Sequence, residues 1–344
     1  MIQFQCDYSE GAHPDILRLL SDTNFVQQPG YGEDSVCCSA ARTIRALCEA
    51  PDADVHFMVG GTPCNLTVIA AALRPYQGVI SADTGHINVH ESGAIEATGH
   101  KVLSVPSSDG KVTAEQVERL YRAHWDDSTH QHMVQPKMVY ISNPTEIGTV
   151  YTRSELTALS GVCRKNGLYL YMDGARLGYG LTSRGCDLDL PSIAALCDAF
   201  YIGGTKQGAL LGEALVITSD ALKPDFRYMI KRQGGLLAKG WLIGRQFEVL
   251  LHDGLYFSLS RHANRMAEKI ADACRRRGLS FLIDSPTNQQ FPILPDSLCK
   301  RLSEKYSFAY WARVDETHSA VRFCTSWATR EEAVDELCSD ILSL

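Results

Sequence analysis

Between Val55 and Ile217 short apolar runs of strand length alternate with stretches of helical spacing, and this alternation narrows the chain to one kind of architecture. The runs are 55–59, 79–81, 101–105, 138–142, 168–172, 199–202 and 214–217. Strands joined through helices run parallel, and a sheet of that kind is covered by helices on both faces. The expected fold class is therefore α/β, with a mostly parallel seven-stranded sheet, one strand per run. In such sheets ligand sites form beyond the carboxyl ends of the strands. Gly61, His86, Asp173 and Lys206 each fall shortly after, or at the end of, one of these runs.

The flanks differ from this middle. Residues 16–20 and 35–50 read as helices, the second from the spacing of Val36, Ala40, Ile44 and Leu47. From Asp220 to Arg277 the pattern is helical with a break near Gly254. Beyond it, strand-like 281–283, 308–311 and 320–324 mix with helix-like 296–306 and 330–342. We expect a large domain, 1–252, that includes the N-terminal segment, and a smaller α+β domain, 253–344.

Two segments suggest the chemistry. Met172-Asp173-Gly174-Ala175-Arg176 follows one run, and Gly203-Gly204-Thr205-Lys206 follows another. Either alone reads as an ordinary turn. Together they place an acid at one strand end and a glycine-cushioned lysine at another, the arrangement a pyridoxal phosphate site needs. The lysine amine forms a Schiff base with the cofactor aldehyde, and the aspartate keeps the pyridine nitrogen protonated. Upstream, Gly60-Gly61-Thr62-Pro63-Cys64-Asn65 links a strand-like run to a helical stretch, 66–73. Backbone N–H groups at such a helix start favour phosphate; a plain turn capped by Thr62 is the simpler alternative. The loop lacks the Gly-Lys-Ser/Thr of a nucleotide-binding loop and the Gly-x-Gly-x-x-Gly of a dinucleotide fold.

Bulk properties exclude other classes. A formal net charge of −7 over 344 residues disfavours nucleic acid and anionic membrane as partners. No apolar run approaches membrane-spanning length, and the start lacks the basic and apolar regions of a secretory signal. The 12 cysteines are scattered without a Cys-x-x-Cys pair. This predicts reduced thiols, no metal site and a cytoplasmic protein.

The motifs resemble those of the low-specificity threonine aldolases, in the β-eliminating-lyase group of fold-type I pyridoxal phosphate enzymes. The matching stretches run almost end to end: Asp7-Tyr8-Ser9, Tyr31-Gly32-Glu33-Asp34, Gly61-Thr62-Pro63-Cys64-Asn65, Asp83-Thr84-Gly85-His86, Thr145-Glu146-Ile147-Gly148-Thr149-Val150-Tyr151, Asp173-Gly174-Ala175-Arg176, Gly203-Gly204-Thr205-Lys206 and Val321-Arg322-Phe323. The resemblance implies a fold-type I transferase-like fold and retro-aldol cleavage of L-threonine or L-allo-threonine to glycine and an aldehyde. It implies Lys206 as the Schiff-base lysine, Asp173 on the pyridine nitrogen, and Gly61, Thr62 and Thr205 around the phosphate. Arg176 would lie near the cofactor oxygen and the substrate carboxylate, with Ser9 and Arg322 also binding that carboxylate. His86 would stack on the ring, either as a stacking face alone or also on the proton path. Tyr31 and Lys231 sit in segments that would cross to a neighbouring active site, Tyr31 toward substrate and Lys231 toward phosphate. The expected assembly is a homodimer or a tetramer of two dimers.

The chain departs from the family pattern twice. Where many members carry Glu-Asn-Thr-His, it has Asn143-Pro144-Thr145-Glu146, so a histidine discussed as a base is a glutamate. Cys64 stands where alanine is usual. A lyase that eliminates another β-substituent would use the same lysine, aspartate and carboxylate clamp, and stays open from the residues alone.

Overall fold

A computed structural model describes residues 1–343. All seven apolar runs of the middle region form strands of one sheet. Side by side the strands are Asp54–Met58, Glu213–Ile217, Ala199–Gly203, Tyr169–Asp173, Gln135–Ser142, Gln77–Ala82 and Lys101–Val105. Glu213–Ile217 runs antiparallel to both neighbours, and the other pairs are parallel. Registers align Glu213 with both Met58 and Gly203, and Ser142 with Asp173. One edge of the sheet thus gathers the ends of six strands and the beginning of the seventh.

Period-two alternation divides the sheet between two cores. On one face Ile80, Val139, Ile141, Leu170, Met172, Phe200 and Ile202 meet Ile44, Leu159, Ile193 and Phe247 from covering helices. On the other, Val79, Met138, Tyr140, Tyr171, Tyr201 and Leu215 meet Cys64, Val68 and Ile69 of the helix Gly61–Ala72. The odd positions of one strand carry both Tyr171 and Asp173, so the acid faces that helix.

A third core holds the C-terminal part. The long helix Leu255–Arg276 contributes Met266, Ile270 and Cys274, packed on Leu294, Leu298, Val321, Phe323 and Leu337. Its strands Ile293–Pro295, His318–Cys324 and Ala309–Arg313 form a small antiparallel sheet. The N-terminal strand Ile2–Gln3 pairs with Tyr306–Ser307, and Phe4 lies in this core.

Several local expectations shift. The helix after Val59 spans Gly61–Ala72 with Gly60 at the N-cap, so Pro63 falls in its first turn as expected and the apolar stretch from Leu66 is its later part. The helix expected over 35–50 ends at Leu47. The break expected near Gly254 is present, at Asp253 and Gly254, both with positive φ; the helical region from Asp220 has two further breaks, at residues 223–225, where Asp225 has φ 59°, and between Arg232 and Trp241, where Gly234 has φ 76°. Residues 281–283 form only a single bridge, Phe281 to Pro292. The helix Asp296–Ser303 stops short of Tyr306, which joins the N-terminal strand instead.

Gly78 shows how closely the strands approach. A Cβ there would come 2.7 Å from the Lys101 carbonyl oxygen and 2.8 Å from Val134 Cγ1. Gly78→Ala is expected to lower unfolding stability by about 1–3 kcal/mol, read as a shift of the urea midpoint at unchanged slope.

Candidate active site

The carboxyl edge of the sheet opens into a cavity of about 320 Å³. Gly61, Thr62, His86, Asp173, Arg176, Thr205 and Lys206, all singled out in the sequence, line it. Tyr8, Asn65, Ser142, Glu146, Tyr201 and Glu213 line it too and were not singled out as site residues.

Asp173 is buried at the end of its strand. Its Oδ1 accepts from the Tyr201 hydroxyl and from the Ala175 N–H at 3.0 Å. Its Oδ2 accepts from Tyr140 Oη at 2.8 Å and Asn65 Nδ2 at 3.0 Å. Burial alone would favour the neutral acid, but the nearby His86 and these donors hold the pKa below the ordinary carboxylate value. Asn65 is held in turn by Glu91 Oε1 at 2.7 Å and by the Tyr171 hydroxyl at 2.9 Å. Glu91, with no exposed side chain, also binds His86 Nδ1 at 2.8 Å. Burial works against charge on His86; the Glu91 bond and the charge of Asp173 outweigh it and raise the pKa.

Lys206 sits past the strand Ala199–Gly203. Burial, then the charge of Arg176, lowers its pKa, which favours the free amine. Its Nζ lies 5.9 Å from the centre of the Tyr8 ring. Gly203 and Gly204 allow the bend: a Cβ on Gly203 would meet the Ala175 carbonyl oxygen at 2.5 Å, and one on Gly204 the Gly212 carbonyl oxygen at 2.7 Å. The Thr205 hydroxyl donates to Glu213 Oε1 at 2.8 Å and accepts from the Gly212 N–H at 3.0 Å. Burial raises Glu213 to about 7.

Arg176 is clamped rather than free. Its Nε and Nη2 donate to Asp7 at 2.7 and 3.0 Å, and Asn288 Nδ2 adds a bond to Asp7 at 2.9 Å. Burial would raise Asp7, but Arg176 and Lys206 bring it to about 2. The sequence signal for Asp7 was no more than its place beside Tyr8 and Ser9. The tyrosines carried a clearer one: Tyr140 and Tyr171 each stand two residues before a strand-end polar residue, and so share its face.

Four expected site residues lie off this cavity. Ser9 is exposed, with its Oγ 3.2 Å from Cys6 Sγ. Arg322 donates to the Gln5 carbonyl oxygen at 2.9 Å and Gln289 Oε1 at 3.1 Å, against the Trp311 ring. Lys231 lies over the Tyr31 ring, Nζ 4.7 Å from its centre, and Tyr31 lines a different cavity, with Arg42, Arg45 and Arg227. A single chain does not bring Tyr31 or Lys231 to Lys206.

The residues present fit pyridoxal phosphate. The helix Gly61–Ala72 has no side-chain cap, so the N–H groups of Gly61 and Thr62 are open on the cavity as phosphate donors. A Cβ at Gly61 would come 2.7 Å from the Tyr201 hydroxyl. An ionised, buried aspartate and a lysine of lowered pKa complete the donor set that the pyridine nitrogen and the aldehyde require. Among the described residues no cluster could hold a metal ion, and no helix is long and apolar enough to cross a membrane.

Fold and site together define a fold-type I pyridoxal phosphate enzyme. A Thermus thermophilus aspartate aminotransferase of 14% identity shares the fold at a TM-score of 0.71, over 99% of this chain and 91% of its own. The chain belongs to the β-eliminating lyase family, whose model matches residues 23–296. It is 31% identical to a low specificity L-threonine aldolase of Pseudomonas aeruginosa, over 98% of this chain and 96% of that one. A yeast protein of the same name, from Saccharomyces cerevisiae, is 26% identical over 79% of this chain and 70% of its own. A solved Leishmania major threonine aldolase is 47% identical, with a TM-score of 0.97, covering 99% of this chain and 98% of that one.

Removing the counter-charge of Arg176 tests the clamp. Asp7→Asn leaves a buried guanidinium without its partner and is expected to cost about 3–5 kcal/mol in unfolding of the cofactor-free protein. Asn288→Ala, which removes one neutral donor, is expected to cost about 1–3 kcal/mol.

Proposed function

We propose that the chain cleaves L-threonine and L-allo-threonine, and related β-hydroxy-α-amino acids, to glycine and an aldehyde. It acts as a pyridoxal-phosphate-dependent aldehyde-lyase. The observation that carries this reading is the convergence of Lys206, Asp173, His86 and Arg176 on one cavity, in a chain whose relatives bear the name threonine aldolase.

Pyridoxal phosphate, when bound, supplies an electron sink for the bond broken at the substrate's Cα. The N–H groups of Gly61 and Thr62 hold its phosphate. Thr205 shapes the wall beside it while its hydroxyl stays with Glu213. Asp173 keeps the proton on the ring nitrogen, because four donors already stabilise its charged form. Lys206 offers an amine that burial keeps available as a nucleophile. His86, pinned through Nδ1 by Glu91, would lie against the ring. Arg176, fixed in plane by Asp7 through two of its five N–H bonds, would offer the others to the substrate carboxylate. Arg322 and Ser9 lie off the cavity and are assigned to that carboxylate by resemblance to the family alone. The parts 1–252 and 253–344 would meet beside the cavity, where Asp7 takes a bond from Asn288.

Two finer features belong to this reading. The assembly is a homodimer or a tetramer of two dimers, in which Tyr31 and Lys231 complete a neighbour's site. Phe25, at 94% exposed, and Tyr228, at 77%, support this, whereas Ile230 and Ile243 are buried within the chain itself. A cytoplasmic location agrees with 12 cysteines that form no disulfide among the described residues.

Incubation with L-threonine or L-allo-threonine is expected to release glycine and acetaldehyde in equal amounts. Borohydride treatment of the holoenzyme should fix the cofactor's mass on the peptide carrying Lys206. Pyruvate and ammonia instead would indicate β-elimination, and a Lys206→Ala protein that still took up the label would displace Lys206.

The assembly has its own test. Inactive Lys206→Ala and inactive Lys231→Ala subunits, mixed after mild dissociation, are expected to recover partial activity in shared sites. A fully active monomer by sedimentation would overturn the proposal of shared sites.

A further inference from the structure

Glu146 stands four residues beyond Ser142, in a turn closed by Thr145 N–H to the Thr149 carbonyl at 2.8 Å and Gly148 N–H to the Thr145 carbonyl at 2.9 Å. The two threonine hydroxyls lie 2.7 Å apart and brace the same turn. Glu146 Oε1 accepts from the His86 backbone N–H at 2.8 Å and from Ser142 Oγ at 2.6 Å. Its Oε2 accepts no side-chain hydrogen bond, and Glu146 lines the cavity together with Lys206, His86 and Asp173. One oxygen is anchored and the other is free to meet a ligand, the geometry of an acid–base group.

We propose that Glu146 is a catalytic residue whose Oε2 takes the proton from the substrate's β-hydroxyl as the Cα–Cβ bond breaks. This rests on the retro-aldol reading above. The O–H bond breaks and a new O–H forms on Glu146. The released pair makes the aldehyde C=O, and the pair from the Cα–Cβ bond stays with the glycine half, whose Cα takes a proton from solvent while Glu146 returns its own to solvent. No oxidant or reductant is needed.

Both protonation states of Glu146 are accommodated. The single hydroxyl hydrogen of Ser142 can serve Glu146 Oε1, or turn to Tyr140 Oη at 3.1 Å when the acid is protonated. Burial raises the pKa of Glu146 above the ordinary carboxylate value, toward the range where a base works well near neutrality. Asp173, His86, Tyr140 and Tyr151 are the titratable groups around it. His86 is the competing base: with Nδ1 held by Glu91, its Nε2 is the one ring nitrogen left to meet a ligand, and the variants below separate the two.

The test is Glu146→Gln, which keeps an oxygen for the anchoring donors. Cleavage kcat is expected to fall roughly 100- to 10,000-fold with cofactor absorbance and KM little changed. Exchange of the glycine α-proton with D2O has no β-hydroxyl to deprotonate, and should stay near the wild-type rate. Wild-type kcat should fall as pH drops through the Glu146 pKa, above the usual carboxylate range, and this limb should be absent from the residual activity of Glu146→Gln. In cofactor-free protein, infrared titration of the wild type minus Glu146→Gln should show one carboxyl protonating above that range. Cleavage within about tenfold of wild type, or equal loss of cleavage and exchange, would overturn the proposal. So would His86→Phe abolishing cleavage while Glu146→Gln does not. Wild-type protein that released no aldehyde would instead bring down the functional reading on which the proposal rests.

Discussion

A single ionised carboxylate buried beneath the cavity is the constraint around which this structure is arranged. Leaving Asp173 charged away from water is costly unless its oxygens are satisfied, and the chain meets that demand from four directions. Tyr140 and Tyr201 come from the strands on either side, Asn65 from the covering helix, and the Ala175 N–H from the turn that follows. Placing these donors requires the registers of three adjacent strands and the position of the helix Gly61–Ala72 to be correct together. The same helix presents its open N-terminus to the cavity, so the cation-favouring and anion-favouring ends of the site are set by one packing arrangement.

The antiparallel strand Glu213–Ile217 makes a second contribution. Because it runs against its neighbours, it brings its first residue to the edge where the others end. Glu213 can therefore bind the Gly204 N–H and the Thr205 hydroxyl, and brace the turn that carries Lys206. A seventh parallel strand would have put its beginning at the opposite edge.

Most of the sheet could be read in the sequence, because its strands are apolar runs whose length and separation admit few other folds. Lys206 and Asp173 were legible as a pair: either turn alone is ordinary, but an acid and a glycine-cushioned lysine at two strand ends, downstream of an open helix start, point to one chemistry. Their supports were harder to see. Tyr140, Tyr171 and Tyr201 look like core aromatics, and only the strand registers reveal that two converge on Asp173 and the third on Asn65. Asp7 and Arg176 are 169 residues apart, and no local pattern joins them. In the helix Gly61–Ala72 the apolar spacing starts only at Leu66, whereas the first turn shows in the sequence through Pro63 alone. Tyr306 ended up in a strand because pairing with Ile2 outweighed a helical pattern that runs through it.

The N-terminal segment has a consequence for how the protein is made. Ile2–Gln3 pairs with Tyr306–Ser307, and Asp7 takes a bond from Asn288. During synthesis these residues leave the ribosome long before the partners that hold them. The sheet and its lysine can assemble well before that, but the supports that hold Asp7 against Arg176 cannot. Between the synthesis of Arg176 and that of Asn288 a nascent chain would carry the guanidinium before its counter-charge is fixed, and site closure becomes a late, long-range event in folding.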